Sequence, residues 1–239
     1  MKKTISDPEQ RLRDNSPCPY FKDGRISTIE YIVPGRRDMD DFHIYLAKGY
    51  RRIGPIFYRN MCKRCDECMP LRIETEQFVV SRSQRRTLRD NDDIRVEILN
   101  GPTLTAEKAL LYRRYVQSKH GEKAGDDPID PLIVLQSIHY GYPATIEMDY
   151  YLEGRLMGVG IVDEGKDALS SNYFYYDTDC LEKRPGVFSI LKEIELARTL
   201  GKKYYYLGFC IEKNRKMSYK KFFRPNQILD HGRWRDFLY

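Results

Sequence analysis

An α+β fold, with a mixed sheet in the second half of the chain behind an N-terminal cysteine-bearing α/β lobe, is what this sequence predicts. Three observations lead there. The segments Ala144–Glu153, Leu156–Val162 and Ala168–Asp177 are strand-like and separated only by the turns Gly154-Arg155 and Glu164-Gly165-Lys166-Asp167, which is the pattern of an antiparallel meander. An amphipathic helix, Val187–Leu200, stopped by Gly201, then separates the meander from a tyrosine-rich strand, Tyr204–Phe209. In the first half, Cys62, Cys65 and Cys68 form a C-x-x-C-x-x-C run that simple packing rarely requires.

The elements follow in chain order. Arg25–Val33 is β-branched and bounded by Gly24 and Pro34-Gly35, a strand. Asp38 caps a helix carrying Met39, Phe42, Tyr45 and Leu46 and ended by Gly49. Tyr50–Tyr58 reads as one strand, the cysteine loop follows, and Leu71–Glu74 returns as a strand. Ser81 or Ser83 caps a short basic helix, SQRRTLRDN, and Thr105 opens a helix over Ala106–Lys119. Asp130-Pro131 is an N-cap followed by proline at the first helical position, for a helix reaching Tyr140. After the meander, helix and tyrosine strand come a short basic helix around Lys216–Phe222 and a last strand near Gln227–Leu229. Helices, three-strand meander, helix and strand is the order of an acetyltransferase-like (GNAT) sheet. The polar stretch Gly121–Asp127 divides the chain into an N-terminal lobe, 1–121, and a GNAT-like domain, 122–239.

The 239 residues, 41% hydrophobic and 13% aromatic, support a real core and exclude a disordered chain. Net charge is +6, unevenly placed: Lys48–Arg95 carries +5, Glu122–Glu182 carries −10 and Lys202–Arg235 carries +8. Two basic blocks around an acidic middle suit a polyanion such as RNA, or make a segregated solvated surface. No apolar run approaches the ~20 residues of a membrane span, so a cytoplasmic location is expected.

In that compartment thiols stay reduced. The cysteine run, with Cys18 of Ser16-Pro17-Cys18-Pro19-Tyr20 as fourth ligand, suits tetrahedral zinc or a [4Fe-4S] cluster. Unliganded thiols or a disulfide are the alternatives.

A GNAT sheet holds the pyrophosphate of acetyl-CoA in a glycine-rich turn after the third meander strand. Here that turn, Asp179 to Gly186, keeps a single glycine. No acetyl-CoA is therefore expected, and Lys183 and Arg184 suit another anion, a phosphate or the 3′ end of an RNA. The run Tyr173-Phe174-Tyr175-Tyr176-Asp177 ends beside the same cleft, where Tyr176 and Asp177 are the catalytic candidates: a carboxylate there orients or deprotonates an attacking amine, or is merely solvated.

Several blocks carry a family resemblance: GYRRIGPIFYRNMCKRCDECMPLRI, SRSQRRTLRDN, NYFYYD and YYYLGFCIEKNRKMSYKKFFRP. They resemble the arginyl-tRNA protein transferase family, in its bacterial aspartate/glutamate leucyltransferase branch, from Cys18-Pro19-Tyr20 to Arg233-Trp234. The resemblance implies an N-degron enzyme that moves leucine or arginine from aminoacyl-tRNA to proteins with N-terminal Asp or Glu, on a GNAT-like fold without acetyl-CoA. The acceptor carboxylate then needs a cation, for which Arg51, Arg52 and Arg72 are the candidates. The tRNA end would lie along Lys183, Arg184, Lys216, Tyr219, Lys220 and Arg224, with an aromatic stacking on the terminal base. A thiolate-metal RNA-binding module and a true acetyl-CoA acetyltransferase are the competing readings.

Overall fold

The computed structural model describes residues 10–35, 39–120 and 130–238. Two sheets divide them. The smaller is antiparallel, in the order β1-β2-β4-β3: β1 (Gln10–Pro17), β2 (Ile26–Val33), β3 (Arg51–Ile53) and β4 (Ile56–Asn60), with helix α1 (Phe42–Ala47) packed beside it. The stretch read as one strand, Tyr50–Tyr58, is thus a hairpin, because Gly54 turns the chain at φ +54 and pairs Ile53 with Ile56. That turn lies tight against the rest of the molecule. A Cβ on Gly141 would stand 2.3 Å from the Gly54 carbonyl carbon and 2.5 Å from Arg52 Nη1, so only glycine fits there.

The larger sheet is mixed and eight-stranded. It uses β5 (Met69–Glu74), β6 (Ile94–Asn100), β7 (Thr145–Leu152), β8 (Arg155–Glu164), β9 (Ala168–Tyr176), β10 (Tyr204–Cys210), β11 (Gln227–Asp230) and β12 (Arg233–Asp236), in the order β12-β11-β5-β10-β9-β8-β7-β6. β7, β8 and β9 form the expected meander. β1, β6 and β12 were not expected. The boundary at residue 121 also differs from the way the sheets divide: β5 and β6 precede it yet belong to the larger sheet. Residues 121–129, like the cap assigned to Asp38, lie outside the described residues.

Among the described residues, four helices flank this sheet. α2 (Arg82–Arg89) begins with a capping box, in which the Ser81 side chain accepts from the Gln84 N–H and the Gln84 side chain accepts from the Ser81 N–H. α3 (Ala106–His120) and α4 (Pro131–Tyr140, capped by Asp130) cover one face through Leu111, Leu135 and Ile138 against Val159, Ile161 and Tyr175. α5 (Pro185–Thr199) covers the other through Ile190, Leu191 and Ile194, near Met157 and Tyr205. The period-2 alternation of strand side chains explains why Tyr175 and its neighbour Phe174 join different clusters. Among the described residues no helix is long and apolar enough to cross a membrane.

One feature of the topology creates a cleft. β9 and β10 run parallel but pair only through Ala168–Ser170 and Tyr204–Tyr206. Beyond that, β9 stays with β8 as far as Tyr176, and β10 stays with β5 as far as Cys210 after a register shift at Tyr206/Gly208. The two strands therefore part at Ser171 and Leu207, leaving backbone carbonyls that need other donors.

Candidate functional site

Cations fill that parting. Arg51, projecting from β3 of the small sheet, donates through Nη1 to Ser170 Oγ (3.2 Å) and the Tyr206 carbonyl (3.4 Å), and through Nη2 to the Ser171 carbonyl. Lys220, in the short helical turn Ser218–Phe222, donates to the Leu207 carbonyl at 2.8 Å. Gly208, at φ +90, brings the two together: a Cβ there would lie 3.3 Å from Arg51 Nη2 and 3.4 Å from Lys220 Nζ. Among the described residues neither cation has a carboxylate within ion-pair distance. Burial accordingly pushes Arg51 down, and burial together with Arg51 pushes the Lys220 ammonium down to about 8.

Beneath them, on α5, the Glu193 side chain is wholly buried. Its Oε2 accepts from the Tyr205 hydroxyl at 2.7 Å, and its Oε1 has no hydrogen-bond partner among the described residues. Burial raises its carboxyl to about 7, against the opposing effects of Tyr205, Ser171, Lys220 and Arg51. Tyr219, next to Lys220, lies over Gly186, with its hydroxyl 3.4 Å from the place of a Cβ. Its own hydroxyl is pushed well up by burial.

Other expected site residues are committed elsewhere. Arg52 grips Asp163 with two bonds of 2.8 Å and donates to the Gly54 and Ile138 carbonyls, with both side chains of the ion pair buried. Period-2 alternation turns it away from the parting that Arg51 enters. Arg72 is sandwiched between Tyr204 and Trp234, 3.9 and 4.3 Å from their ring centres, and donates to Gln227 at 2.9 Å. It therefore joins strands rather than facing a cleft. Asp177 caps the turn Thr178–Lys183 by accepting from the Asp179 N–H at 3.1 Å, and it pairs with Arg155. A carboxylate so engaged is a poor base for an incoming amine. Tyr176 stacks on Phe174 at 5.3 Å and meets Tyr115 edge-on.

Of the residues expected along tRNA, Lys183 pairs with Asp93 at 2.8 Å and Arg184 donates to Thr87 at 3.3 Å, which ties them to the turn after α2 and to α2 itself. Lys216 and Arg224 are exposed. Tertiary structure also brings the two basic blocks side by side. Gln84 of α2 donates to the Phe222 carbonyl at 3.3 Å, and the Val79 N–H to the Arg224 carbonyl at 3.2 Å, so α2, with Arg82, Arg85, Arg86 and Arg89 exposed, packs beside the Lys216–Arg224 segment.

Between the small sheet and the β5–β10–β11 edge lies a cleft of about 770 Å³, lined by Cys18, Cys62, Cys65, Cys68, Tyr58 and Phe209 among others. All four cysteines are free thiols. Arg25 donates to Cys65 Sγ at 3.2 Å and the Thr28 N–H to Cys62 Sγ at 3.4 Å, while burial and the other three thiols raise Cys68 to about 12. The expected four sulfurs thus share one cleft. Among the described residues, however, no three Cys, His, Asp or Glu side chains converge as a metal-binding set. Tyr58 lines this cleft, and burial raises its hydroxyl against the lowering effect of the Arg51 charge.

Comparison with known proteins now bears on this geometry. The family model for the arginine-tRNA-protein transferase N terminus matches residues 16–86, and the model for its C terminus matches residues 107–230. The chain belongs to the arginine-tRNA-protein transferase family. It is an enzyme, an aminoacyltransferase. Curated relatives include the aspartate/glutamate leucyltransferases of Shewanella oneidensis, 36% identical over 91% of this chain and 90% of that protein, and Leptospira interrogans, 32% identical over 91% and 86%. Among solved structures, L-PGS from Bacillus licheniformis is similar at 11% identity and a TM-score of 0.46, covering 83% of this chain and 72% of that one. At that level the likeness adds nothing to the strand order.

Proposed function

We propose that this enzyme moves leucine, or arginine, from aminoacyl-tRNA to the N-terminal Asp or Glu of proteins and so marks them for degradation, on a GNAT-like sheet whose parted strands hold the reacting groups. The observation that carries this is Arg51, a buried guanidinium with no carboxylate partner among the described residues, set where β9 and β10 separate. Of the three arginines expected to bind the acceptor, Arg51 alone enters the parting, because Arg52 and Arg72 are engaged elsewhere. A planar guanidinium is suited to a carboxylate and discriminates Asp from Asn by charge, since shape differs little.

The aminoacyl ester is already activated, and an α-amine of pKa 7.7–8.0 is roughly a tenth neutral at pH 7. Alignment of amine and ester then supplies several kcal/mol. Lys220, beside Arg51, stabilises the oxyanion that forms as the amine attacks. The exposed basic face of α2 with Lys216 and Arg224 follows the tRNA backbone. Pro185 at the start of α5 removes one backbone N–H from the place where a pyrophosphate would rest, which supports a donor other than acetyl-CoA. For the cysteine cleft the proposal is zinc or an iron–sulfur cluster, supported by the donor set alone, and no step of the reaction is routed through it. Anaerobic protein with under a tenth of an equivalent of metal and full activity would end it.

Mass spectrometry of peptides with varied N-termini, after incubation with a fully charged tRNA pool, tests the function. Leucine or arginine added to Asp and Glu peptides is the expected result. Modification only from labelled acetyl-CoA, or of no peptide, overturns it.

A further inference from the structure

An aminoacyl ester presents two features within a few ångströms of each other: a carbonyl oxygen that becomes negative during attack, and an α-ammonium on the adjacent carbon. The parting of β9 and β10 presents the complementary pair. Arg51 and Lys220 converge on Gly208. Glu193 lies within electrostatic reach of both, its Oε2 fixed by Tyr205 and its Oε1 without a partner among the described residues. Opposite Oε1 stands Gly160, whose missing side chain leaves the oxygen 3.7 Å from where a Cβ would be. The Ser171 side chain interacts with both the Glu193 carboxyl and the Tyr205 hydroxyl, at a geometry that leaves Oε1 short of a full hydrogen bond. Ser171 and Lys220, which act on this carboxylate, are half-buried.

We propose that Glu193 recognises the free α-ammonium of the donor aminoacyl group, seating the ester carbonyl toward Lys220 and rejecting donors whose amine is acylated. This rests on the transfer reaction proposed above and adds a specificity element to it. A buried carboxylate oxygen lacking a donor is costly in the empty enzyme, and a cationic N–H donor satisfies both its charge and its lone pair. The raised carboxyl of Glu193 agrees, since an arriving ammonium favours the ionised form and would draw the value down again. A donor already bearing an amide in place of the ammonium offers one neutral N–H and added bulk. The site would thereby stop a product-like peptidyl-tRNA from entering as donor.

The test compares single-turnover transfer from leucyl-tRNA and N-acetyl-leucyl-tRNA to one Asp peptide, with thermal melting run alongside. Wild-type enzyme should prefer the free amine by at least tenfold. Glu193→Gln should slow leucyl-tRNA by about 10- to 100-fold while leaving N-acetyl-leucyl-tRNA nearly unchanged, so that the preference collapses. Should that variant fail to fold, Glu193→Asp, which keeps the acid and retracts it by one methylene, should show the same loss of preference in milder form. Equal slowing of both donors, or an unchanged preference in either folded variant, overturns the proposal. So does a wild type that uses both donors alike, although the transfer function then stands. A wild type that uses neither overturns the transfer function itself.

Discussion

On the α3/α4 face of the large sheet, Lys108 lies between Glu147 and Asp149, 2.7 Å from the latter, and Glu147 also meets His139 at 3.0 Å while His139 meets the Tyr175 hydroxyl at 3.1 Å. Where β9 and β10 part, Arg51 and Glu193 are also buried and Lys220 half-buried, but their bonds run to backbone carbonyls, a serine and a tyrosine rather than to one another. In the first cluster every carboxylate meets the Lys108 cation. In the second, among the described residues, neither cation has a carboxylate within ion-pair distance. Burying a charge is tolerable when it is paired and costly when it is not, so the first cluster holds helices to the sheet and the second is poised for a ligand. The Arg52–Asp163 pair belongs with the first kind.

The sharpest way to break this contrast is to unpair the closed clusters. Lys108→Met strands two buried carboxylates, and Arg52→Met strands Asp163. Each should cost about 3–5 kcal/mol, read as a lower urea midpoint, with acceptor choice unchanged in whatever protein remains folded. A substantial change in acceptor choice in Arg52→Met would restore Arg52 to the site.

Arg51→Ala should do the reverse. Transfer to Asp and Glu peptides should drop by one to two orders of magnitude, the roughly 1.5–3 kcal/mol of a charged hydrogen bond, with much less effect on an uncharged N-terminus. Equal loss for all acceptors would make Arg51 a strut between the sheets.

Titration gives a subtler distinction. The carboxyl of Glu193 is raised to about 7 from an ordinary 4.5, so the folded state holds its proton longer than the unfolded chain does. Its contribution to stability is full below about 4.5 and is lost as pH rises through about 7. Glu30, in the small sheet, has the opposite sign. Burial alone would raise it, but hydrogen bonds from Tyr50 and Arg13 and the charge of Arg59 bring it down to about 2, so its contribution is present above 4.5 and lost as pH falls toward 2. Urea midpoints across pH 4 to 8 should show the decline in wild type and a flatter profile in Glu193→Gln. An identical decline in the variant assigns it to other groups.

The smallest effect is expected at the surface. Lys216→Ala should reduce the slope of log affinity for charged tRNA against log salt by no more than about 0.9, the share of a single phosphate contact. Filter binding at several salt concentrations measures it, and an unchanged slope moves the tRNA away from this segment.

Local chemistry made much of the fold legible. Ser81 with Gln84, and Asp130 with Pro131, announce helix starts because the capping groups lie within three residues of each other. The meander and the tyrosine-rich strand announce themselves through turn residues and β-branched or aromatic runs. β6 was missed although Ile94, Val96 and Ile98 alternate with Arg95 and Glu97, whereas β12 is four residues long with three of them charged and carries too short a pattern to read. Glu193 had a readable signal: it shares a helical stripe with Ile190 and Ala197, which places a carboxylate on an apolar face.

By itself, then, the sequence determined the element types, the clustering of Cys62, Cys65 and Cys68, and, through its motifs, the family. Those depend on residues near one another along the chain. Tertiary structure decided which charges are spent. Arg51 and Arg52 are chain neighbours with the same side chain, yet one reaches the parted strands and the other reaches Asp163, 111 residues away. Whether a buried cation is paired depends on what the fold brings to it from distant segments, and no local pattern records that.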